Sequence, residues 1–388
     1  MARPTWLTPN LMKLSWVSLL QDAASDMLYP LLPILLNSVF GAPALVVGLV
    51  ESAAEGTAAS IKLVSNRLNR WLSRKSMVVS GYSLAALGKL LIALAVGWPL
   101  VLLGRVVDRV GKGLRSAPRD TVLLEGADAA HRGKVIGFHR AADTTGAVIG
   151  PALALLLLGV FNNDVRSVLW FVTIPAVLSV AVAFLVKDTG KTKALKPVSA
   201  QKAQVPSGAG RLIWVLVAFS LLNFPDALIL LHLSQMGWSV TAVVGAYLIF
   251  NLAAAALSFP FGALSDRVAP HRIFALGVFC FAAVYLGLGL SQNPAFDAGL
   301  LVLYGAFAAA NDSVGKSWVS KLVGGHHQLA VQARLQGLSG YAVLFAGLWA
   351  GLFWGVSGAV PLLLSGGLAL VVAVAILVLG NRSFSSAD

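Results

Sequence analysis

The chain has 388 residues, of which 57% are hydrophobic and only 12% are charged. This composition excludes a soluble globular fold, and because the apolar runs are long and continuous rather than alternating, it also argues against a single β-barrel. The formal charge of +13 does not indicate a nucleic-acid partner, since the positive residues lie in loops between the apolar runs. The sequence therefore predicts an all-α polytopic membrane protein embedded in a lipid bilayer.

Twelve apolar runs approach the ~20 residues with which a helix crosses a bilayer. Because this number is even, both termini are expected on the same side of the membrane. Basic residues are concentrated in alternate loops, and the remaining loops share only Arg166, which predicts that both termini are cytoplasmic. The predicted spans are 11–36, 44–65, 76–96, 98–122, 134–160, 167–187, 211–235, 240–263, 272–290, 298–321, 329–355 and 361–380.

Segment 188–210 is polar and rich in Lys, Ala, Pro, Gly and Ser, which is typical of a linker. It divides the chain into an N-terminal six-helix bundle, 1–187, and a C-terminal six-helix bundle, 211–388. An internal repeat supports this division, because SNRLNRWLSRK (65–75) follows the second span and SDRVAPHR (265–272) follows the eighth, at a shift of 200 residues.

The fourth span carries an unusual number of charged residues. Each charge at the centre of a lipid-facing helix costs about 2.5–3.5 kcal/mol, so these side chains must face protein, a wet cavity or the membrane surface. Asp108 and Lys112 lie four residues apart and share one helix face, and Arg105 and Arg109 do the same. The charged residues of this stretch are Arg105, Asp108, Arg109, Lys112, Arg115, Arg119 and Asp120.

Acidic residues in the first two spans are candidates for proton coupling. Asp22 and Asp26 lie four residues apart, shortly before Tyr29, and Glu55 lies near the middle of the second span. A buried carboxyl group can take up a proton from one side of a membrane and release it to the other. The alternative, which stays open for Asp22 and Asp26, is that the acids only hold the N-terminal half together by pairing with cations: Lys62, Lys89, Arg105, Arg109 or Lys112.

Other polar residues within the spans also admit two interpretations. Lys89 and Arg105 either attract an anionic or carboxylate-bearing substrate or neutralise the neighbouring acids. On the fifth span, Arg140 and Asp143 are three residues apart and are predicted to pair, whereas His139 is expected to be structural.

In the C-terminal half, Asp226 is the candidate acid of the site, and Asp312 is predicted to pair with Lys316. Aromatic residues of the spans, among them Tyr247, Phe250 and Tyr304, can line an apolar cavity. His232 and Met236 are four residues apart, but two weak ligands do not make a metal site, so we expect none.

Several motifs together resemble the major facilitator superfamily. GALSDRVAPHR (262–272) is similar to the family signature Gly-x-x-x-Asp-Arg-x-x-x-Arg, and the copy KLVSNRLNRWLSRK (62–75) departs from it at Lys62 and Asn66. Arg105 lies where the family has an arginine in its fourth helix. GAVIGPAL, with Gly146, Gly150 and Pro151, resembles the fifth-helix motif that the family associates with antiport-coupled exporters.

The resemblance implies twelve helices in two pseudo-symmetric halves, alternating access and a bacterial cytoplasmic (inner) membrane. It also implies a cytoplasmic gate, in which a loop aspartate accepts hydrogen bonds at a helix N-terminus. Asp266 would reach the start of the fifth helix, and Arg67 or Arg74 would pair with Asp120. The predicted gate residues are Asn66, Arg67, Arg74, Arg119, Asp120, Asp266 and Arg267.

Taken together, these features predict a secondary transporter that works as a monomer without a cofactor and exports a small organic molecule in exchange for protons. One alternative is an uptake permease for an organic anion, a peptide or a metal chelate. A membrane enzyme or non-transporting receptor is the remote alternative, since GLSGY (337–341) is not a Gly-x-Ser-x-Gly nucleophile elbow and no phosphate-binding loop occurs.

Overall fold

In the computed structural model, the described part of the chain comprises residues 6–68, 71–124, 131–187, 207–311, 318 and 328–383. This part consists mainly of helices joined by short turns and loops and contains no β-strand, so the predicted all-α fold class is confirmed. The chain divides into two compact units: unit 1 is Met1–Pro43 with Ala53–Ser199, and unit 2 is Ala44–Ser52 with Ala200–Asp388. The first residues of the second predicted span thus group with unit 2.

Five further helices follow the first one in the N-terminal part of the chain. Several of them start at a side-chain cap that satisfies a free backbone N–H group: Thr8 caps the first helix, Ser73 the third and Asp164 the sixth. The helices are α1 (Pro9–Leu28), α2 (Ala44–Leu68), α3 (Arg74–Ala93), α4 (Trp98–Leu124), α5 (Arg132–Val160) and α6 (Val165–Phe184).

The first predicted span is not one regular helix. Regular α-helix ends at Leu28, and the chain continues through short helical turns of changing pitch from Tyr29 to Val39. Pro30 and Pro33 lie in these turns, and each lacks the N–H group that a regular helix needs for its hydrogen bonds.

The C-terminal part of the chain shows a second departure from the prediction. The seventh span, predicted as one helix over 211–235, is broken at residues 221–225, because Pro225 cannot donate a backbone hydrogen bond. The helices are α7 (Ser207–Ser220), α8 (Asp226–Gln235), α9 (Val240–Arg267), α10 (Pro270–Leu290), α11 (Pro294–Ala310), α12 (Gln328–Leu352) and α13 (Ala359–Ser383).

Within the described residues, eight helices are long and apolar enough to cross a membrane: α2, α3, α5, α6, α9, α10, α12 and α13. Two more apolar helices are shorter, Gly210–Ser220 and Pro294–Ala310. The predicted count of twelve spans is therefore not confirmed. The charged helix α4 is not among the eight, and large apolar side chains such as Phe259 and Leu290 are exposed, as lipid-facing residues would be.

Small residues allow the closest helix contacts of unit 1. Gly81 and Gly88 of α3 face Gly111 and Gly104 of α4, and an added Cβ at any of the four would collide with the opposite helix. The glycines of the motif GAVIGPAL in α5 also allow a close contact, because Gly146 and Gly150 lie against the backbone of α1 near Ala23. Backbones that approach this closely also bring the flanking side chains within ion-pair distance.

Candidate functional site

The glycine contacts between α3 and α4 place Lys89 directly against Asp108. The Lys89 Nζ lies 2.8 Å from the Asp108 Oδ1, and the two residues are only 1% and 4% exposed. The other carboxylate oxygen of Asp108, Oδ2, lies 3.8 Å from Nη1 of Arg105 and 4.0 Å from Nε of Arg109. One buried carboxylate therefore faces three cations, an arrangement that compensates charge inside an apolar half.

The edge of this cluster is more open than its centre. Arg109 Nη2 lies 3.2 Å from Glu55 Oε1, and the Glu55 side chain is 38% exposed. Lys112 acts electrostatically on Glu55 from the next turn of α4. The Arg105 guanidinium lies 5.8 Å from the centre of the Tyr29 ring, within cation–π range.

A second polar group lies on α1, α3, α4 and α5. His139 is buried, and its Nδ1 and Nε2 lie 3.4 Å and 3.3 Å from the hydroxyl oxygens of Ser15 and Ser18. Ser18 Oγ is also 3.3 Å from the Tyr82 hydroxyl oxygen and accepts a hydrogen bond from Arg119 Nη1 at 3.2 Å. A chain of polar atoms therefore runs across the apolar core of unit 1.

Asp143 extends this group at its exposed end. Its Oδ1 lies 3.6 Å from Nε2 of His139, whereas Arg140 is exposed. The predicted partner of Asp143 on α5 is Arg140, but the structure shows His139, four positions before Asp143, in contact with it. Residues that are three and four positions apart are both neighbours on a helix. Sequence spacing alone did not distinguish these two neighbours.

Asp22 lies on α1 among the cations of α3 and α4. Four positive side chains act on it electrostatically, and Asp22 is itself an electrostatic neighbour of Asp143. Among the side chains that the structure describes, no basic nitrogen lies within 4.0 Å of the Asp22 carboxylate oxygens, the distance of an ion pair. The four cations are Lys89, Lys112, Arg115 and Arg119.

Most of the predicted site residues of the N-terminal half therefore share one region of unit 1. Arg115 and Tyr82 were not among the predicted site residues, although the Arg115 guanidinium lies 4.4 Å from the centre of the Tyr82 ring. The sequence signal that could have indicated this polar group is the presence of Tyr82, Ser15 and Ser18 within otherwise apolar spans. The predicted residues that lie in this region are Asp22, Tyr29, Glu55, Lys89, Arg105, Asp108, Arg109, Lys112, Arg119 and Asp143. The backbone of Asp26 lies on α1 where Gly150 of α5 packs against it.

The predicted gate is only partly described. Asp120 Oδ1 lies 3.0 Å from Nη2 of its sequence neighbour Arg119. Arg267 is exposed at the end of α9. Outside the described part of the structure lie the side chains of Asn66, Arg67 and Asp266 and the predicted pair Asp312 and Lys316.

Unit 2 has its own acidic position. Asp226, the first residue of α8, accepts a hydrogen bond from the Tyr304 hydroxyl at 2.7 Å. Asp226 also lines a cavity together with Tyr247, Phe250 and Tyr304. Elsewhere in unit 2, the ring nitrogens of His232 lie 2.5 Å from the Ser357 carbonyl oxygen and 3.1 Å from the Leu288 carbonyl oxygen.

Comparison with known proteins places this geometry in a family. Residues 14–296 match the sequence profile of the Major Facilitator Superfamily. An uncharacterized MFS-type transporter of Methanocaldococcus jannaschii is 27% identical over 373 residues, which are 94% of this chain and 93% of that protein.

Two solved structures show the same fold at low sequence identity. The peptide transporter POT in complex with sulfate superimposes with a TM-score of 0.79 at 13% identity, over 96% of this chain and 94% of that one. A bacterial homologue of the human lysosomal transporter Spinster, in an inward-facing conformation, superimposes with a TM-score of 0.77 at 15% identity, over 99% and 98%. With the profile match covering most of its length, the chain belongs to the Major Facilitator Superfamily of membrane transporters.

Proposed function

We propose that this transporter is a proton-coupled exporter of a small organic molecule that works by alternating access in a bacterial inner membrane. Asp22 carries the proposal as the coupling carboxyl group. It is held among four cations and near a second acid, Asp143, yet forms no ion pair with a described side chain. A carboxyl group in such a position can gain or lose a proton without breaking an existing buried pair.

The other acids of unit 1 are less suited to this task. Protonating Asp108 would leave Lys89, which lies 2.8 Å from it, buried without its counter-charge, and this is costly in an apolar interior. Glu55 is paired with Arg109 at the more exposed edge of the cluster. We therefore propose that Asp108 and Glu55 stabilise the cluster and that Asp22, together with Asp143, exchanges the proton.

The export direction rests on the motif formed by Gly146, Gly150 and Pro151 in α5. In the structure, these glycines allow α5 to lie against the backbone of α1, the helix that carries Asp22. A shift of α5 would therefore move α1 and change the surroundings of Asp22. An uptake permease remains the second candidate, and transport measured in vesicles of both orientations distinguishes the two.

The test begins with the purified full-length protein. A metabolite and drug panel is screened for compounds that raise its melting temperature, because a ligand of the folded state stabilises it. A stabilising compound is then offered to proteoliposomes with an imposed pH gradient, and its movement and the lumenal pH are recorded together. We expect gradient-driven movement in the wild type and its loss in Asp22→Asn.

Asp164→Asn serves as the matched control, because Asp164 is an exposed helix cap far along the chain from the cluster. It should transport like the wild type. Full gradient-driven transport by Asp22→Asn at normal expression would refute Asp22 as the coupling group. Transport that ignores the pH gradient in every variant would refute proton coupling itself.

The proposed topology has a direct test as well. Cys280 is the sole cysteine of the chain, so Cys280→Ser provides a background without reactive thiols. Single cysteines introduced in loop 66–75 should react with impermeant reagents only from the cytoplasm, and those in loop 291–297 only from outside. The reverse labelling pattern would contradict cytoplasmic termini.

A further inference from the structure

His232 lies near the end of the short helix α8, and both of its ring nitrogens contact backbone carbonyl oxygens. Nδ1 lies 2.5 Å from the Ser357 oxygen, and Nε2 lies 3.1 Å from the Leu288 oxygen. The residue is only 2% exposed, so the ring is shielded from bulk water. His232 therefore joins α8 to the end of α10 and to the turn 353–358, which connects α12 to α13.

The chemistry of these two partners defines the charge of the ring. A carbonyl oxygen only accepts hydrogen bonds, so each ring nitrogen must carry a hydrogen to bind its partner. A neutral imidazole has one N–H group, whereas the imidazolium has two. In either neutral tautomer, one nitrogen lone pair would point at a carbonyl oxygen, and that buried oxygen would lose its donor, which is costly. Only the positively charged ring satisfies both contacts.

The helix ends around His232 favour a positive charge. Leu288 lies in the last turn of α10, where carbonyl groups have no partner within the helix, and the Nε2–H group of His232 supplies one. His232 itself lies in the last turn of α8. The C-terminus of a helix carries a partial negative charge that stabilises a cation. Two helix dipoles therefore act in the same direction on this ring.

The ionisable groups on the surrounding elements do not oppose this charge. Residues 353–380, which comprise the turn and most of α13, contain no ionisable side chain. The basic residues of the described helices of unit 2 lie toward the opposite ends of those helices: Arg211, Arg267, His271, Arg272, Arg334 and Arg382. On α8, and in the halves of α9 to α12 nearer His232, the other ionisable side chains are neutral or negative: Asp226, Tyr247, Cys280, Tyr285, Asp297 and Tyr341.

The proton on His232 matters because α8 is short and separated from α7 by the break at residues 221–225. The last turn of α8 is bonded to the turn 353–358 at two places. One bond is made by His232, and in the other Trp354 Nε1 donates to Gln235 Oε1 at 2.8 Å. The second bond joins neutral groups and does not depend on pH. Loss of the proton would therefore remove one His232 contact and leave the Gln235 contact in place.

We propose that His232 is a proton-binding site of this transporter, and that its proton fixes α8 to the end of α10 and to the turn 353–358. The site is separate from Asp22 and does not depend on the direction of transport. In the predicted topology, the loop 291–297 that follows α10 lies outside. The position of α8, and of Asp226 at its start, would then depend on the pH outside the cell.

The protonation state is measured by NMR on the full-length protein in micelles, with nitrogen-15 in its six histidines. Buried, hydrogen-bonded N–H groups exchange slowly with water, so at pH 5 we expect two protected N–H signals from the His232 ring. His232→Gln should remove these signals. If that variant does not fold, His139→Gln should leave them in place, which assigns them, because the ring nitrogens of His139 also both have partners.

The second measurement is the melting temperature between pH 5 and pH 8, the range in which imidazole groups titrate. Because only the charged ring donates both bonds, its stabilisation is present at low pH and is lost as the pH rises. His232→Gln should melt below the wild type at pH 5, and this difference should shrink toward pH 8. Trp354→Phe is the matched control, since it removes the neutral bond to Gln235 and should lower the melting temperature equally at every pH.

Two results would overturn the assignment. One is a His232 ring with a single N–H group in the folded wild type at pH 5. The other is a melting difference between the wild type and His232→Gln that stays constant with pH, as expected for Trp354→Phe, or that grows as the pH rises.

Discussion

Replacing Asp108 by asparagine removes one charge from the buried cluster of unit 1 with almost no change of shape. The residue is 4% exposed, and three cations lie within 4.0 Å of its carboxylate oxygens. Breaking a buried ion pair by removing one partner costs about 3–5 kcal/mol, because the other charge remains buried. We expect Asp108→Asn to lower the free energy of unfolding by this amount.

The same reasoning predicts an order among related variants. Lys89→Met should cost less than Asp108→Asn, because Asp108 then keeps Arg105 and Arg109 as partners. Glu55→Gln should cost only about 0–1 kcal/mol, since the Glu55 side chain is 38% exposed and the ion pair is screened by water.

Unfolding in mixed detergent micelles, followed by the fluorescence of the 10 tryptophans, measures these differences. The double variant Lys89→Met with Asp108→Leu removes both charges of the closest pair, and it should recover the part of the lost stability that Asp108→Asn owes to leaving Lys89 buried without a partner. If Asp108→Asn costs no more than Glu55→Gln, or the double variant is as unstable as the sum of its parts, burial of the pair does not govern its energy and the reasoning is wrong.

Two further predictions concern packing and capping. Gly88→Ala should lower the free energy of unfolding by about 1–3 kcal/mol, because the new Cβ would lie 2.7 Å from the Asp108 backbone nitrogen. Gly159→Ala should stabilise α5 by up to about 1 kcal/mol, because a Cβ at Gly159 would have nothing within 4 Å. Equal melting temperatures of the two variants would contradict the close contact at Gly88. Asp164→Ala should cost about 1 kcal/mol, because the Asp164 carboxylate caps α6. Hydrogen bonds from Ser167 lower the pKa of Asp164 below its usual 3.8, so this contribution is present above pH 3.8 and is lost as the pH falls through the lowered value. Melting curves of the wild type and Asp164→Ala should therefore converge in acid, and a difference that grows at low pH would contradict the assignment.

Local patterns carried much of the fold prediction. Hydropathy marks an apolar helix wherever it occurs, because the backbone must satisfy its own hydrogen bonds in lipid. The loop motif 262–272 and the glycines of α5 indicated the family, which the profile match confirms. Pro225 marks a place where a helix fails, yet the apolar run around it predicts a continuous seventh span, and the structure shows the break at residues 221–225.

Reading the residues along the chain is enough to show that charged residues gather in the N-terminal half and that they must be compensated there, because an isolated charge in an apolar interior is too costly. Which charges meet depends on how the helices pack against one another. Lys89 reaches Asp108 because glycines on two helices oppose each other, and Asp143 contacts His139 while Arg140 is exposed. These outcomes depend on how far each helix is rotated about its axis and how closely two backbones approach, and neither quantity is encoded in the spacing of residues along one helix.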